Sequence, residues 1–198
     1  MKIIYFSLLI FIADQLSKVF VRGFSLPWFN VNHKGLNLGE SIPVINNFFH
    51  LTLIENPGIA FGIDPGPFLQ ELILVLTIAT CFGLFTFLLF TKNTDVKIRI
   101  SVALILGGAA GNLFDRTFYG YFYNYASFFQ GNVVDFLDVK LFKLFMFDNM
   151  LGNYVFNIAD LSVTTGVIVL IFLILKLKKE SKKEIPVPQV VEDSQDLP

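Results

Sequence analysis

Four stretches of almost unbroken apolar residues, at about 3–21, 69–90, 98–114 and 158–177, set the organisation of this chain. Each approaches or exceeds the roughly 20 residues that carry an α-helix across a bilayer, so the pattern predicts four membrane-spanning helices. Residues 23–68 are punctuated by Gly, Pro and Asn around Phe48-Phe49-His50-Leu51-Thr52-Leu53-Ile54. That apolar and β-branched run predicts a short strand or an interfacial segment. Residues 117–156 are dense in Tyr and Phe, as in Tyr119-Gly120-Tyr121-Phe122-Tyr123, a texture suited to the membrane–water interface. From Glu180 onward, prolines and acidic residues predict a disordered tail. The expected fold class is an all-α polytopic membrane protein with a small extracytoplasmic β-containing segment and interfacial loops. Residues 1–178 form the membrane domain, and 179–198 a disordered cytoplasmic tail.

The polar residues that interrupt the apolar pattern carry the functional information. Asp14 and Lys18 lie in the first stretch, Asp115 and Arg116 end the third, and Asp160 opens the fourth. Ionisable side chains inside membrane helices cost several kcal/mol unless paired or wet, so they mark function by default. Basic residues orient the bundle. Lys2, Lys92, Lys97, Arg99 and the cluster Lys176, Lys178, Lys179, Lys182 and Lys183 fall on one side. The other loops hold only Lys34, Lys140 and Lys143, with Arg22 at a helix end. Positive-inside bias therefore places both termini and the 91–97 loop in the cytoplasm. At about 1.5 Å per residue, Asp14 and Lys18 lie roughly 16 and 22 Å above the inner end of the first span. Arg116 lies roughly 25 Å above Arg99, and Asp160 roughly 24 Å above Lys176. Four helices thus bring their polar residues to one level near the external face, which predicts an active or binding site there.

Composition narrows the classes further. The 198 residues are 54% hydrophobic and only 16% charged, where a soluble domain carries about a quarter charged residues. A basic cluster just after the last span is an orientation signal rather than a nucleic-acid surface. Cys81 stands alone in an apolar run, so no internal disulfide forms. The first stretch follows Lys2 like a secretory signal. It lacks a small-residue cleavage site and is interrupted by Asp14, Gln15 and Lys18, so it reads as a retained helix.

Several chemistries are disfavoured. His33 and His50 stand apart with no HExxH motif, and serine catalysis at Ser162 or Ser101 would have only Lys18 as a base. The outer level is rich in carboxylates: Asp115, Asp135 and Asp160, with Asn112, Asn157 and Arg116 beside them. Two aspartates held together share one proton. One then acts as base toward water and the other as acid toward a scissile carbonyl. The alternative is structural, with the same aspartates pairing with Arg116 and Lys18 to hold the bundle. Asp14 and Lys18 are one turn apart and suit it.

Asp14-Gln15-Leu16-Ser17-Lys18 and Asn56-Pro57-Gly58-Ile59-Ala60-Phe61-Gly62 resemble the first two sequence boxes of the lipoprotein signal peptidase (signal peptidase II) family. The resemblance continues through Gly107-Gly108-Ala109-Ala110-Gly111-Asn112-Leu113-Phe114-Asp115-Arg116, Val133-Val134-Asp135-Phe136 and Phe156-Asn157-Ile158-Ala159-Asp160. Any one box is weak, but five in register across residues 8–175 are specific. The resemblance implies a four-helix inner-membrane aspartyl endopeptidase. It would cleave diacylglyceryl-modified prolipoproteins before the lipidated cysteine, with no cofactor and no metal. Its partners would be that substrate and membrane lipids, not nucleic acid, and it would act as a monomer. It implies Asp135 and Asp160 as the catalytic pair, and Asn56, Gly58, Asn112, Arg116 and Asn157 as substrate-binding residues. Asp14, Lys18 and Asp115 would support them, Asp115 by fixing Arg116 and neighbouring backbone.

Spacing departs from the family pattern, in which the arginine and the next aspartate are joined by a short link. Here residues 117–134 intervene, and another long stretch separates Asp135 from Asn157. Residues 117–132 are expected to form a surface loop, hinged at Gly120 and Gly131, that acts either as a lid over the site or as a passive interfacial insertion. Two rival functions remain open on residues alone. The charges of a small proton-coupled transporter would form a relay, though broken helices and repeats are missing from the sequence. A non-catalytic lipid-binding scaffold is the other.

Overall fold

Long apolar runs free of internal proline satisfy the backbone amides beyond the first turn within the helix, the condition for crossing a bilayer. The computed structural model describes residues 2–46, 48–58, 66–140 and 155–183, and it places helices on all four runs. They are α1 (Lys2–Arg22), α2 (Gly66–Phe90), α3 (Val96–Phe114) and α4 (Ile158–Lys183). All four are long and apolar enough to span a membrane. Their outward faces carry bulky apolar side chains such as Leu16, Phe20, Phe82 and Phe172, as a lipid-facing surface should. Helix α4 runs through residues 179–183, the start of the tail expected to be disordered. The residues beyond Lys183 lie outside the described residues, as do Ile59, Ala60, Phe61 and Gly62.

The third helix extends past its predicted end at 114. It continues through a π-helical turn, Asp115–Tyr119, and a last turn, Gly120–Phe122. Residues 117–122 of the expected surface loop are therefore helix. A π turn adds a residue to the helical circuit and often marks a functional site; here it carries both Asp115 and Arg116.

Helix α3 is the centre of the bundle, packed against α4, α1 and α2. Small residues permit the close approach, since interfaces in lipid depend on backbone proximity. A Cβ added at Gly108 would stand 2.3 Å from the Ala159 carbonyl of α4, and one at Gly111 would stand 2.4 Å from the Asp14 carboxylate of α1.

The external segment forms strands β1 (Phe24–Leu26), β2 (Val31–His33), β3 (Ser41–Ile45), β4 (Phe49–Asn56), β5 (Val133–Val139) and β6 (Val155–Phe156). The β1–β2 pair is a separate hairpin, whereas β3-β4-β5-β6 make one antiparallel sheet. The expected strand at 48–54 is β4. The sheet sits on the bundle through a buried cluster of Val21, Leu53, Tyr119, Val134 and Phe136. A second cluster, Leu88, Val102, Ala103 and Leu106, fills the opposite half of the bundle.

Candidate active site

Strand β6 leads through Asn157 directly into α4, and this junction sets the first carboxylate. The Asn157 Oδ1 accepts from the Asp160 amide at 2.8 Å, while Asp160 Oδ2 accepts from the Asn157 amide at 3.3 Å. The exchange is a capping box, which occupies two helix-terminal donors and fixes the side chain that provides them. Asp14 Oδ1 takes the next free donor, the Ala159 amide, at 2.9 Å. Asp160 is only half-buried, and its other oxygen accepts from Asn112 Nδ2 at 2.8 Å.

The second carboxylate arrives on β5. Asp135 is 3% exposed, and its oxygens accept from Asn157 Nδ2 at 2.6 Å and Asn56 Nδ2 at 3.1 Å. Asn157 therefore touches both aspartates. Asn56, the last residue of β4, is oriented in turn by the Gly58 amide, which donates to Asn56 Oδ1 at 2.9 Å. Gly58 has φ of +141°, a backbone conformation that L side chains rarely adopt, so glycine there is required by the turn. Burial pushes the Asp135 carboxyl up to about 7, and the neighbouring Asp160 carboxylate adds to the rise. The Asn56 bond, the Lys18 charge and the Asn157 bond act in the opposite direction.

A fully buried ion triad stands beside the pair. Lys18 Nζ lies 2.8 Å from Asp14 Oδ2 and 2.8 Å from Asp115 Oδ2, and it donates to Asn112 Oδ1 at 2.9 Å. Asp115 also accepts from Gln15 Nε2 at 2.8 Å and from the Val134 amide at 3.1 Å. It thus fixes backbone next to Asp135. The expected partnership with Arg116 is not formed. The π turn directs Asp115 to Lys18, and Arg116 makes no ion pair among the described residues. The half-buried Arg116 guanidinium is left beside the carboxylates of Asp115, Asp135 and Asp160, with no side-chain hydrogen bond among the described residues.

The structure brings together Asp135, Asp160, Asn56, Asn112 and Asn157, with Asp14, Lys18 and Asp115 behind them. One expectation is corrected: three helices, not four, supply this level, because α2 carries no charged side chain beyond Glu71, and its Thr77, Thr80 and Thr86 bond to carbonyls of their own helix. Ser162 and Ser101 are spent on helix carbonyls of Leu104 and Lys97. Gln15 was missed as a site residue, although a polar side chain within a membrane helix is itself a signal. It donates to Asp115, Asp14 and the Gly111 carbonyl and accepts from the Tyr119 hydroxyl at 3.0 Å. Asp138 was missed too. It is buried on the other face of β5, accepts from Thr52 Oγ1 at 2.9 Å, and ties the sheet together.

Comparison with known proteins gives one consistent result. The family model described as Signal peptidase (SPase) II matches residues 6–176. The lipoprotein signal peptidase of Moorella thermoacetica is 33% identical over 184 residues, covering 93% of this chain and 99% of that protein. The lipoprotein signal peptidase of Clostridioides difficile is 35% identical over 175 residues, covering 85% and 91%. Among solved structures, a bacterial membrane enzyme at 2.3 Å resolution superposes with a TM-score of 0.67 and 29% identity over 94% of both chains.

Proposed function

The chain belongs to the signal peptidase II family, and on that premise we propose that Asp135 and Asp160 are the catalytic pair of its aspartic peptidase activity. The protein is a membrane-embedded hydrolase that removes signal peptides from prolipoproteins, and its family resides in the bacterial inner membrane. We propose further that cleavage falls before a diacylglyceryl-modified cysteine.

One observation carries the assignment of the pair: a single buried amide, Asn157, bonds to Asp135 and caps Asp160, holding two carboxylates where both cannot comfortably ionise. Asp135, with its raised affinity for a proton, starts as the acid; Asp160, the more exposed, faces water and starts as the base. Asp160 takes a proton from a water molecule whose oxygen attacks the scissile carbonyl carbon. Asp135 gives its proton to the carbonyl oxygen, forming a neutral gem-diol. Return of a proton from Asp160 to the amide nitrogen and of a gem-diol proton to Asp135 breaks the C–N bond and restores the pair. Asn56, Asn112 and Arg116 surround the pair with donors suited to backbone carbonyls of an extended peptide. Both carboxylates come from one chain, so one protomer suffices.

The charge asymmetry supports an orientation with both termini in the cytoplasm and the site near the outer leaflet. There an acyl-anchored substrate reaches the pair without leaving the membrane. The test is cleavage of a lipidated prolipoprotein by the purified protein. Asp135→Asn and Asp160→Asn are each expected to abolish it while the protein stays folded. Activity is expected to survive chelators and alkylation of Cys81. Substantial cleavage by either variant would remove the pair from the mechanism.

A further inference from the structure

The long link between Arg116 and Asp135 is tied to the end of β4. Tyr123 and Tyr125, which follow the last turn of α3, both present their rings to Arg22 at the end of α1. The Arg22 guanidinium carbon stands 3.8 Å from the Tyr123 ring centre and 5.3 Å from that of Tyr125. Arg22 is also paired with Glu55 of β4, and both side chains are largely buried, at 11% and 16% exposed. The rings are themselves held: the Tyr123 hydroxyl donates to the Gly23 carbonyl at 3.2 Å, and the Tyr125 hydroxyl accepts from the Asn132 amide at 2.8 Å. A guanidinium over an aromatic face, partly desolvated and paired with a carboxylate, makes a rigid joint.

What the joint grips matters. Glu55 pairs in register with Val134, and Asn56 with Val133. Side chains alternate across a strand, so Glu55 and Val134 face the helix ends and the buried cluster of Val21 and Tyr119, while Asn56 lies on the face of Asp135. Arg22 therefore holds the residue whose immediate neighbour donates to Asp135. Gly131 closes the link from its other end. Its amide donates to the Arg116 carbonyl at 2.9 Å, and a Cβ there would meet the Asp115 carbonyl at 2.3 Å. A glycine enclosed in this way is a point of close packing, not a hinge.

We propose that Arg22 is a positioning residue, clasped by Tyr123 and Tyr125 of the long link and paired with Glu55, that holds the end of β4 so that Asn56 stays on Asp135. The link is then a brace on the site, in place of either the lid or the passive insertion considered from the sequence. The proposal rests on the reading of Asp135 as catalytic. It applies to the cleavage step more than to substrate capture, because Arg22 is buried behind the strand and touches no substrate.

The test measures kcat, KM, pH dependence and Tm for cleavage of a lipidated prolipoprotein by Arg22→Gln, Arg22→Lys and Tyr123→Leu, beside Asn56→Ala. A displacement of about 1 Å at a reacting group costs up to about a hundredfold. Arg22→Gln and Tyr123→Leu are expected to lower kcat by about ten- to a hundredfold with KM changed by less than about threefold. Arg22→Lys keeps the cation for Glu55 and the rings, and is expected to recover most of that loss. The groups facing Asp135 are Asp160, Lys18, Arg116, Asn56 and Asn157. Releasing Asn56 removes a donor to the ionised carboxylate, so the alkaline limb of the kcat profile is expected to move to higher pH, as in Asn56→Ala. A lowered Tm with kcat and pH limb unchanged would overturn the proposal, as would a loss confined to KM. If Arg22→Gln does not fold, Tyr123→Leu decides by the same readouts. Asp135→Asn separates the two claims: if that variant still cleaves, the catalytic reading fails; if it is inert while Tyr123→Leu and Arg22→Gln are normal, only the brace fails.

Discussion

Asp135 should make the protein less stable than it could be, and the cost should depend on pH. Its carboxyl is pushed from an ordinary 3.8 to about 7 in the fold, chiefly by burial. About three pH units at 1.36 kcal/mol each give about 4 kcal/mol. The folded value is the higher one, so at pH below about 4 the group is neutral in both states and costs nothing. As pH rises from there the unfolded chain ionises freely and the folded one resists, so stability is lost progressively and the full cost is reached above about 7. Asp135→Asn removes the ionisation. It also leaves one of the two donors, Asn56 Nδ2 or Asn157 Nδ2, facing an amide hydrogen, at about 1–3 kcal/mol. The net expectation is a gain of about 1–3 kcal/mol near pH 8 and no gain, or a loss, near pH 5. For a chain of this size 1 kcal/mol moves Tm by about 2–4 °C. The inert variant should therefore melt several degrees above the parent at the higher pH only. Thermal unfolding of both proteins in one detergent across that range measures it. A Tm difference that is constant with pH, or that favours the parent more at alkaline than at acid pH, would refute the reasoning.

Asp115→Asn is expected to do the opposite. It strips Lys18 of one of two carboxylates and weakens the bond to the Val134 amide, at a cost of about 3 kcal/mol or more, visible as a lower Tm with activity lost alongside. Cleavage by the parent enzyme is expected to fall on the alkaline side as Asp135 loses its proton near 7, measured as the pH profile of kcat; a profile still rising beyond about pH 9 would remove Asp135 as the acid. Cysteines introduced near Asn93 and Ser181 should label only from the cytoplasm, and those near Asn37 and Asn124 only from outside. Reversed labelling would place the site at the inner leaflet.

The four helices were legible because a bilayer demands length and apolarity, and both are written in composition. Their bounds in the structure differ from the expected ones by up to three residues, except at the end of α3 and at the end of α4, which runs to Lys183 where 177 was expected. Helix α3 runs to Phe122 because a π turn preserves its hydrogen bonding through Asp115–Tyr119, and periodicity offers no signal for one inserted residue. The same turn explains the misassigned partner of Asp115. Adjacency in sequence suggested Arg116, but neighbours on a helix point about 100° apart, and the fold supplied Lys18 from α1 instead. Asp14, Lys18, Asp115, Arg116 and Asp160 stood out in the sequence as costly polar residues in apolar runs, whereas Asn56 and Gly58 were reached only through the family resemblance. The capping box between Asn157 and Asp160 was not legible, since it needs the β6–α4 junction to be known.

The link from Arg116 to Asp135 was the least legible segment, for a reason that bears on how the site works. Aromatic density at 117–132 reads as affinity for the membrane surface, and Tyr121, Phe122 and Phe129 do lie exposed. Tyr119 and Tyr123 share that composition and turn the other way: Tyr119 is 1% exposed against the bundle and Tyr123 closes on Arg22, while Tyr125, 39% exposed, still presents its ring to the same guanidinium. Sequence alone does not sort the two sets, because the sorting depends on where α1 ends and on which face of β4 Glu55 occupies. Arg22, the last residue of the first span, looked like a charge at a helix end. In the fold it is the point where α1, β4 and the link meet, one residue from the amide that bonds to Asp135. A longer connection between catalytic elements loosens a site unless something fixes it. Here the link supplies both the length and the rings that hold it.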